Sequence, residues 1–461
     1  SGSPFNTTLC VGGVTPLGED AVNDMTYIIL KVTEMVTMND PNVHARFNPW
    51  KNSRAFLERV CQVNYITGAT PAIHGDNAVL DALSAGGALP LDAMRDWTPT
   101  GCVEPSIPGK HFACTASGSV NLVALFEMAM NNGRHPLMRW DLGPKTGRIE
   151  DGAFKTFDDF FAAFRKQSEF MFGQLITGDR QLEELSMRHY PEPLMSTLYD
   201  GCIEKGRNVT RGGATYNSTG FSIIGLTNVV DSLMAIKKFV YDEKYISFAD
   251  LKKAIDSNFV GYEKMLAMLK SGVPRFGSGN LDAVAMANRV TGMVRDFLRG
   301  QRDRRNGNYT AGWWTMNKHT IYGRVTGALP CGRLDGEPFT PGLTPSPDAS
   351  PNLLDNLLDV ARLDPKTLDN NIAFNVRIVP SAKDSPEQTA KRMADYVETF
   401  IKQGGMQVQF NVVDTDTLKD AMAHPEFYSD LMVRISGYCG YFTKLQRDLQ
   451  LEIIRRSEYA L

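Results

Sequence analysis

TGCVEP, residues 100–105, sets a thiol and a carboxylate two positions apart and follows them with a proline. In an extended segment side chains alternate, so Cys102 and Glu104 are expected to project to the same side. Pro105 has no N–H to give to a ladder, so the strand is expected to stop there. The plain reading is a buried free cysteine beside a surface glutamate. The chemical reading is a thiol and a carboxylate acting together, and a conventional cysteine nucleophile would also need a histidine base from elsewhere in the fold. RISGYCGYF, residues 434–442, is as dense. A short strand is expected to end at Ser436-Gly437-Tyr438, with a helix beginning after it. The plain reading of Gly437 is a turn residue with positive φ. Glycine has a second property: without Cβ its α-carbon can become planar, and a radical there is delocalised into the flanking amide nitrogen and carbonyl. Such a radical can exchange a hydrogen atom with a nearby thiol.

Composition narrows the classes. The 461 residues are 43% hydrophobic and 22% charged, an ordinary globular balance with chain enough for a large core. The length suggests two or three domains. A net charge of −3 gives no global attraction to nucleic acid or to an anionic membrane. The one basic run, RDFLRGQRDRRNG at 295–307, mixes in Asp296 and Asp303 and reads as a solvated helix end. Seven cysteines, an odd number without CxxC spacing, make no disulfide framework. No run of 18 apolar residues appears, and SGSPFNTTLC has no signal pattern. A reducing cytoplasm is the expected compartment, and the sequons at Asn208 and Asn217 read as chance matches. GxGxxG, GxxxxGK[ST] and HExxH are absent. The scattered histidines, His111 and His135 among them, read as structural groups.

Along the chain, helical and extended patterns alternate. Residues 118–131 read as a buried helix, and Phe157, Phe160, Phe161, Phe164, Phe172 and Leu175 mark one apolar helical face. Another amphipathic helix is expected at 226–240, after the Gly-rich RGGATYNSTG, and a Gly/Pro-rich loop spans 327–351. Extended runs at 372–379, 406–413 and 431–435 alternate with helices expected at 386–402, 415–423 and roughly 444–457. That is α/β organisation.

Together the two opening stretches resemble the glycyl radical enzymes, the family that includes pyruvate formate-lyase. Members carry a GCVEP-like cysteine loop and, far later, an R-[IV]-x-G-Y glycyl loop; this chain has both, in that order. GPKTG (143–147), GGATYN (212–217), NVVDSLMAIK (228–237), YGRVTGALPCGR (322–333) and GGMQVQFN (404–411) extend the likeness over nearly the whole chain. The resemblance implies an α/β fold: the second half of a ten-stranded α/β barrel with a C-terminal glycyl radical subdomain. It divides the chain into 1–355, with the cysteine loop, and 356–461. Family chains are longer on the N-terminal side, which implies that this one is a fragment or a split-gene subunit. Gly437 matches the radical-storing residue, Cys102 the cysteine that becomes a thiyl, and Glu104 the acid/base of the lyase-type members. The family binds no cofactor or metal; its glycyl radical is installed by a radical S-adenosylmethionine activase. The other implied partners are a small-molecule substrate, an N-terminal half-barrel segment if encoded separately, and a second copy in a dimer, with neither nucleic acid nor membrane.

Three departures qualify this. Residue 101 is glycine where pyruvate formate-lyase has a second cysteine, which disfavours formate acetyltransferase activity. LPCGRLDGEP places Cys331 and Asp335 where the family has Asp and Ala. Diol dehydratase-like members have a His-Asp pair further along the cysteine loop, and Thr115 and Ala116 stand there instead. The expected activity is thiyl-initiated C–H abstraction followed by elimination of water, an amine or sulfite. Arylacetate decarboxylation and a formate acetyltransferase-like reaction are the alternatives within the class, and a non-catalytic half-barrel subunit is the alternative outside it.

Overall fold

The computed structural model describes residues 7–460 apart from Ala88, Asp348 and Ala382. Thirteen strands are described: Thr8–Gly12 (β1), Asn42–Phe47 (β2), Ala72–Gly75 (β3), Thr98–Thr100 (β4), Glu104–Ser106 (β5), His111–Asn121 (β6), Tyr216–Ile224 (β7), Asn308–Gly312 (β8), Asn375–Val379 (β9), Gln407–Val412 (β10), Met432–Arg434 (β11), Cys439–Tyr441 (β12) and Glu458–Ala460 (β13).

The chain forms two compact units that interleave along the sequence. The first takes residues up to His111, Gly312–Asn317 and Pro341 onward; the second takes Phe112–Ala311 and Lys318–Thr340. A division at 355/356 does not coincide with this one, because strands from both sides of that point share one sheet.

In the first unit six strands form a mixed sheet in the order β1-β2-β3-β10-β9-β13. Neighbours are parallel except where β3 meets β10, with Ile73 opposite Val408 and His74 opposite Gln407. The strands alternate with period 2, yet both faces are buried. Val43, Ala45, Phe47, Ile73, Val376, Ile378, Val408 and Phe410 form the apolar set. Helices Arg54–Thr67 and Pro386–Lys402 pack together in this unit, contributing Phe56, Leu57, Val60, Val397, Phe400 and Ile401 to its core. Arg54 joins the two helices by donating to Glu398 and Asp395, at 2.7 Å each. The opposite set is polar: Asn42, His44, Arg46, His74, Asn375, Arg377, Gln407, Gln409 and Asn411. A buried polar face is stable only where its groups find partners, and two loops of the same unit supply them.

The second unit carries the three-stranded sheet β6-β7-β8 and half of the sixteen described α-helices. Residues 118–121, expected to be helical, continue β6; the helix is Leu122–Met130, and the Asn121 side chain caps it by accepting from Ala124 N–H. The aromatic face expected at 157–175 is present on the longer helix Phe157–His189. Phe160 meets Phe126 and Phe248 edge-on, with centroids 5.7 and 5.0 Å apart. The basic run is not wholly a solvated helix end. The helix Leu281–Arg299 stops within it, Arg295 is buried, and Arg305 is buried in contact with Asp303 and Glu183 at 3.1 Å each. No described helix is long and apolar enough to cross a membrane.

Candidate active site

Cys102 does not lie on an extended segment. β4 and β5 form a hairpin in which Thr100 faces Glu104 and Pro99 faces Pro105, leaving Gly101, Cys102 and Val103 as a three-residue tip. Gly101 turns the chain at φ +61°. Pro105 is therefore inside a strand, opposite another proline, at a pair where neither residue can donate. Glu104 is only 3% exposed, and its Oε2 accepts from the N–H groups of Cys102 (3.0 Å) and Val103 (2.7 Å). The carboxylate thus ties together the loop that presents the thiol, and is not the surface glutamate of the plain reading. Cys102 is 5% exposed and packs with Val103, Trp314 and Ala373, with Met316 and Tyr438 at the edge.

Gly437 also sits at a hairpin tip. β11 and β12 pair through Met432–Tyr441, Val433–Gly440 and Arg434–Cys439, and residues 435–438 make the loop. The helix expected straight after Tyr438 begins only at Arg447. Strand β12 intervenes because its backbone pairs with β11. The hairpin rests on a small core of Val413, Leu418, Ala421, Val433, Ile435, Phe442, Leu449 and Ile453. Arg456 steadies its strand end, donating to the carbonyls of Arg434 and Ile435 at 2.9 Å each.

The two tips meet. Gly437 adopts φ +95°, and a Cβ built on it would lie 2.5 Å from Cys102 Cβ and 3.3 Å from Cys102 Sγ. Real Cβ atoms do not approach other atoms that closely, so no residue but glycine fits without displacing Cys102. The Gly437 peptide groups are fully engaged: its N–H donates to Gln409 Oε1 (3.2 Å), and its carbonyl accepts from Arg434 Nη2 (2.9 Å) and Asn42 Nδ2 (2.8 Å). Burial, with Cys102 alongside, pushes the Tyr438 phenol up to about 12.

The polar face of the sheet supports both tips. Asn411 exchanges bonds with the Arg434 backbone, accepting from its N–H at 2.6 Å and donating to its carbonyl at 3.0 Å. Asn371 Nδ2 donates to Val103 O (2.8 Å) and lies 3.3 Å from His74 Nδ1, while His74 Nε2 lies 2.9 Å from His44 Nδ1. The amide nitrogen can only donate, so the network assigns the proton of His74 to Nε2 and that of His44 to Nε2. Burial, with the Arg434 and Arg46 guanidinium groups nearby, lowers His74 to about 3; burial likewise holds His44 well below the usual histidine range. These neutral histidines brace the cysteine loop through Asn371.

The structure thus brings Cys102, Glu104 and Gly437 together in the first unit. Thr115 and Ala116 lie on β6 in the second. Asn42, His44, His74, Asn371 and Gln409 were not marked by the sequence reading. The signal that could have found Asn42, His44 and Gln409 is the polar alternation of NVHARF and QVQFN inside strands too hydrophobic in context to face water; His74 and Asn371 lie outside both stretches.

Comparison with known proteins agrees with this geometry. A model of the pyruvate formate lyase-like family matches residues 1–323, and a glycine radical model matches residues 339–443. The chain is 33% identical over 448 residues to trans-4-hydroxy-L-proline dehydratase of Clostridioides difficile, covering 97% of this chain and 56% of the relative. It is 28% identical to (2S)-3-sulfopropanediol dehydratase of Klebsiella oxytoca, covering 98% and 55%. The glycerol-bound B12-independent glycerol dehydratase of Clostridium butyricum superposes with a TM-score of 0.94 at 31% identity, over all of this chain and 58% of the dehydratase. The chain spans about half the length of these relatives. On the family model, the fold and the glycine radical region, the chain belongs to the pyruvate formate lyase-like family of glycyl radical enzymes.

Proposed function

We propose that this chain carries the radical-bearing part of a glycyl radical lyase that eliminates water, or another small leaving group, from a small polar molecule. The observation that carries the reading is the approach of Gly437 to Cys102, a gap too small for any side chain. An activase of the radical S-adenosylmethionine type removes one hydrogen atom from the Gly437 α-carbon. The glycyl radical takes a hydrogen atom from the Cys102 thiol: the S–H bond breaks, the C–H bond reforms, and the unpaired electron moves to sulfur. The thiyl takes a hydrogen atom from a substrate C–H bond next to the leaving group. Glu104 transfers the proton that elimination requires, and the thiol returns its hydrogen atom to the product radical. The burial of both tips supports this order of steps, because a radical relay needs water and oxygen excluded.

The dehydratase names of the relatives support elimination of water over decarboxylation, and Gly101 in place of a second cysteine speaks against formate acetyltransferase chemistry. The six-stranded sheet is read as part of a ten-stranded barrel that a further N-terminal segment completes, with residues 356–461 as the glycyl radical subdomain. The assembly is read as a dimer. The test is to activate the protein anaerobically and supply hydroxylated, aminated and sulfonated two- to five-carbon compounds, following release of water as the carbonyl or alkene product, ammonia or sulfite. Product from one class with radical consumption and return supports the reading. An activated protein that turns over none of them, but decarboxylates arylacetates, overturns the elimination assignment.

A further inference from the structure

We propose that Asn42 is the positioning residue that sets the gap between the Gly437 α-carbon and the Cys102 thiol. This rests on the glycyl radical reading and extends it to how the two tips are held in register. Asn42 lies on β2, 2% exposed. Its single Nδ2 donates to Gly101 O in the cysteine loop at 3.0 Å and to Gly437 O in the glycyl loop at 2.8 Å. Each of the two amide protons therefore serves one tip. Its Oδ1 accepts from Arg434 Nη1 at 2.7 Å, which fixes which end of the amide faces the carbonyls. Arg434 continues the frame: Nη2 reaches Gly437 O at 2.9 Å, and Nε reaches Gln409 Oε1 at 3.0 Å, the oxygen that also accepts the Gly437 N–H. Both the donor and the acceptor side of Gly437 are thus held by rigid strands β2 and β10.

Hydrogen-atom transfer is steeply sensitive to separation, because reacting atoms must come near contact before a bond can pass. The two tips belong to different hairpins, each with its own support. Asn42 bonds to the backbone of both, so displacing it changes the gap while leaving each hairpin its own hydrogen bonds. A purely structural asparagine would satisfy buried carbonyls without governing the rate of transfer. Asn42→Asp separates the two roles: it keeps the size and the Arg434 contact, removes both donors, and sets an anion against two carbonyl oxygens.

The readout is the exchange of the Gly437 α-hydrogen with solvent through the Cys102 thiol. In activated protein moved into D2O the thiol carries deuterium. The glycyl radical takes that deuterium, leaving a thiyl, and the thiyl takes back the original protium. The glycyl radical that remains bears deuterium, so its doublet collapses to a singlet. Asn42→Asp, and Asn42→Ala as a second variant, are expected to slow this collapse by roughly 10²-fold, the cost of misplacing a reacting group by about an ångström. Their radical yield is expected to stay within about twofold of the parent, since the activase acts on Gly437 and not on the thiol. Unchanged exchange in both variants overturns the proposal and leaves the glycyl radical reading intact. Folded variants that accept no radical overturn it too, because thiol alignment is not needed for activation. No radical in the parent protein removes the reading and the proposal together.

Discussion

A Cβ on Gly437 would lie 2.5 Å from the Cβ of Cys102. Two residues far apart in the chain, each at the tip of its own two-stranded hairpin, thus meet: the open face of the Gly437 α-carbon is filled by the Cys102 side chain. The sheet makes this possible by turning a polar face, from Asn42 to Asn411, toward both tips. The contact explains why this buried loop needs a glycine, and on the proposed function it gives the thiol a partner that can hand over an unpaired electron.

Cys102→Ser is expected to keep the glycyl radical and abolish turnover. The hydroxyl fits the same 5%-exposed site, but an alcohol O–H bond is too strong for the glycyl radical to break. Electron paramagnetic resonance on the activated variant, with a product assay on the same sample, checks this. Turnover in the variant would remove Cys102 from the relay.

Glu104→Gln keeps an acceptor oxygen for the Cys102 and Val103 N–H groups and removes the ionisable proton. Activity is expected to fall by about 10²–10⁴-fold, the usual contribution of a general acid or base, with the radical retained. Glu104→Ala goes further, stranding two N–H groups without their acceptor at roughly 1–3 kcal/mol each, and should lower Tm as well. Near-normal turnover in Glu104→Gln would confine the residue to tying the loop.

Glu127 predicts a pH effect on stability in the second unit. Its Oε1 accepts from Gly327 N–H at 3.0 Å, its Oε2 is buried with no described partner, and burial raises its carboxyl from 4.5 to about 7. A raised carboxyl means the folded state holds the proton more tightly than the unfolded chain. Its stabilising contribution is therefore complete below pH 4.5 and is lost as pH rises to about 7, by roughly 3 kcal/mol. Glu127→Gln, a neutral isostere, should melt at a higher temperature than the parent at pH 8 and at the same temperature near pH 4.5. Equal melting at both values would mean that the carboxyl is not raised.

The sequence marked the candidate residues more clearly than their setting. TGCVEP and RISGYCGYF are short, contiguous phrases, so Cys102, Glu104 and Gly437 could be picked out directly. Their hairpins could not. Pro105 reads as a strand stop, yet it pairs opposite Pro99, where the missing N–H groups cost nothing. The supporting residues were hidden for another reason: Asn42 and Asn371 meet their partners across hundreds of positions, and each looks like an ordinary polar residue in a short strand or turn. The units escaped a linear reading as well, because β3 and β10 pair in one sheet while the second unit is inserted between them in sequence.

The most direct test of the account is the radical itself. Protein activated anaerobically by a radical S-adenosylmethionine activase should give an electron paramagnetic resonance doublet from the single α-hydrogen of Gly437. The doublet should become a singlet when the protein is made with α-deuterated glycine, and it should be absent from Gly437→Ala, where the added methyl meets Cys102 and the radical loses its site. A full doublet in Gly437→Ala would contradict the account.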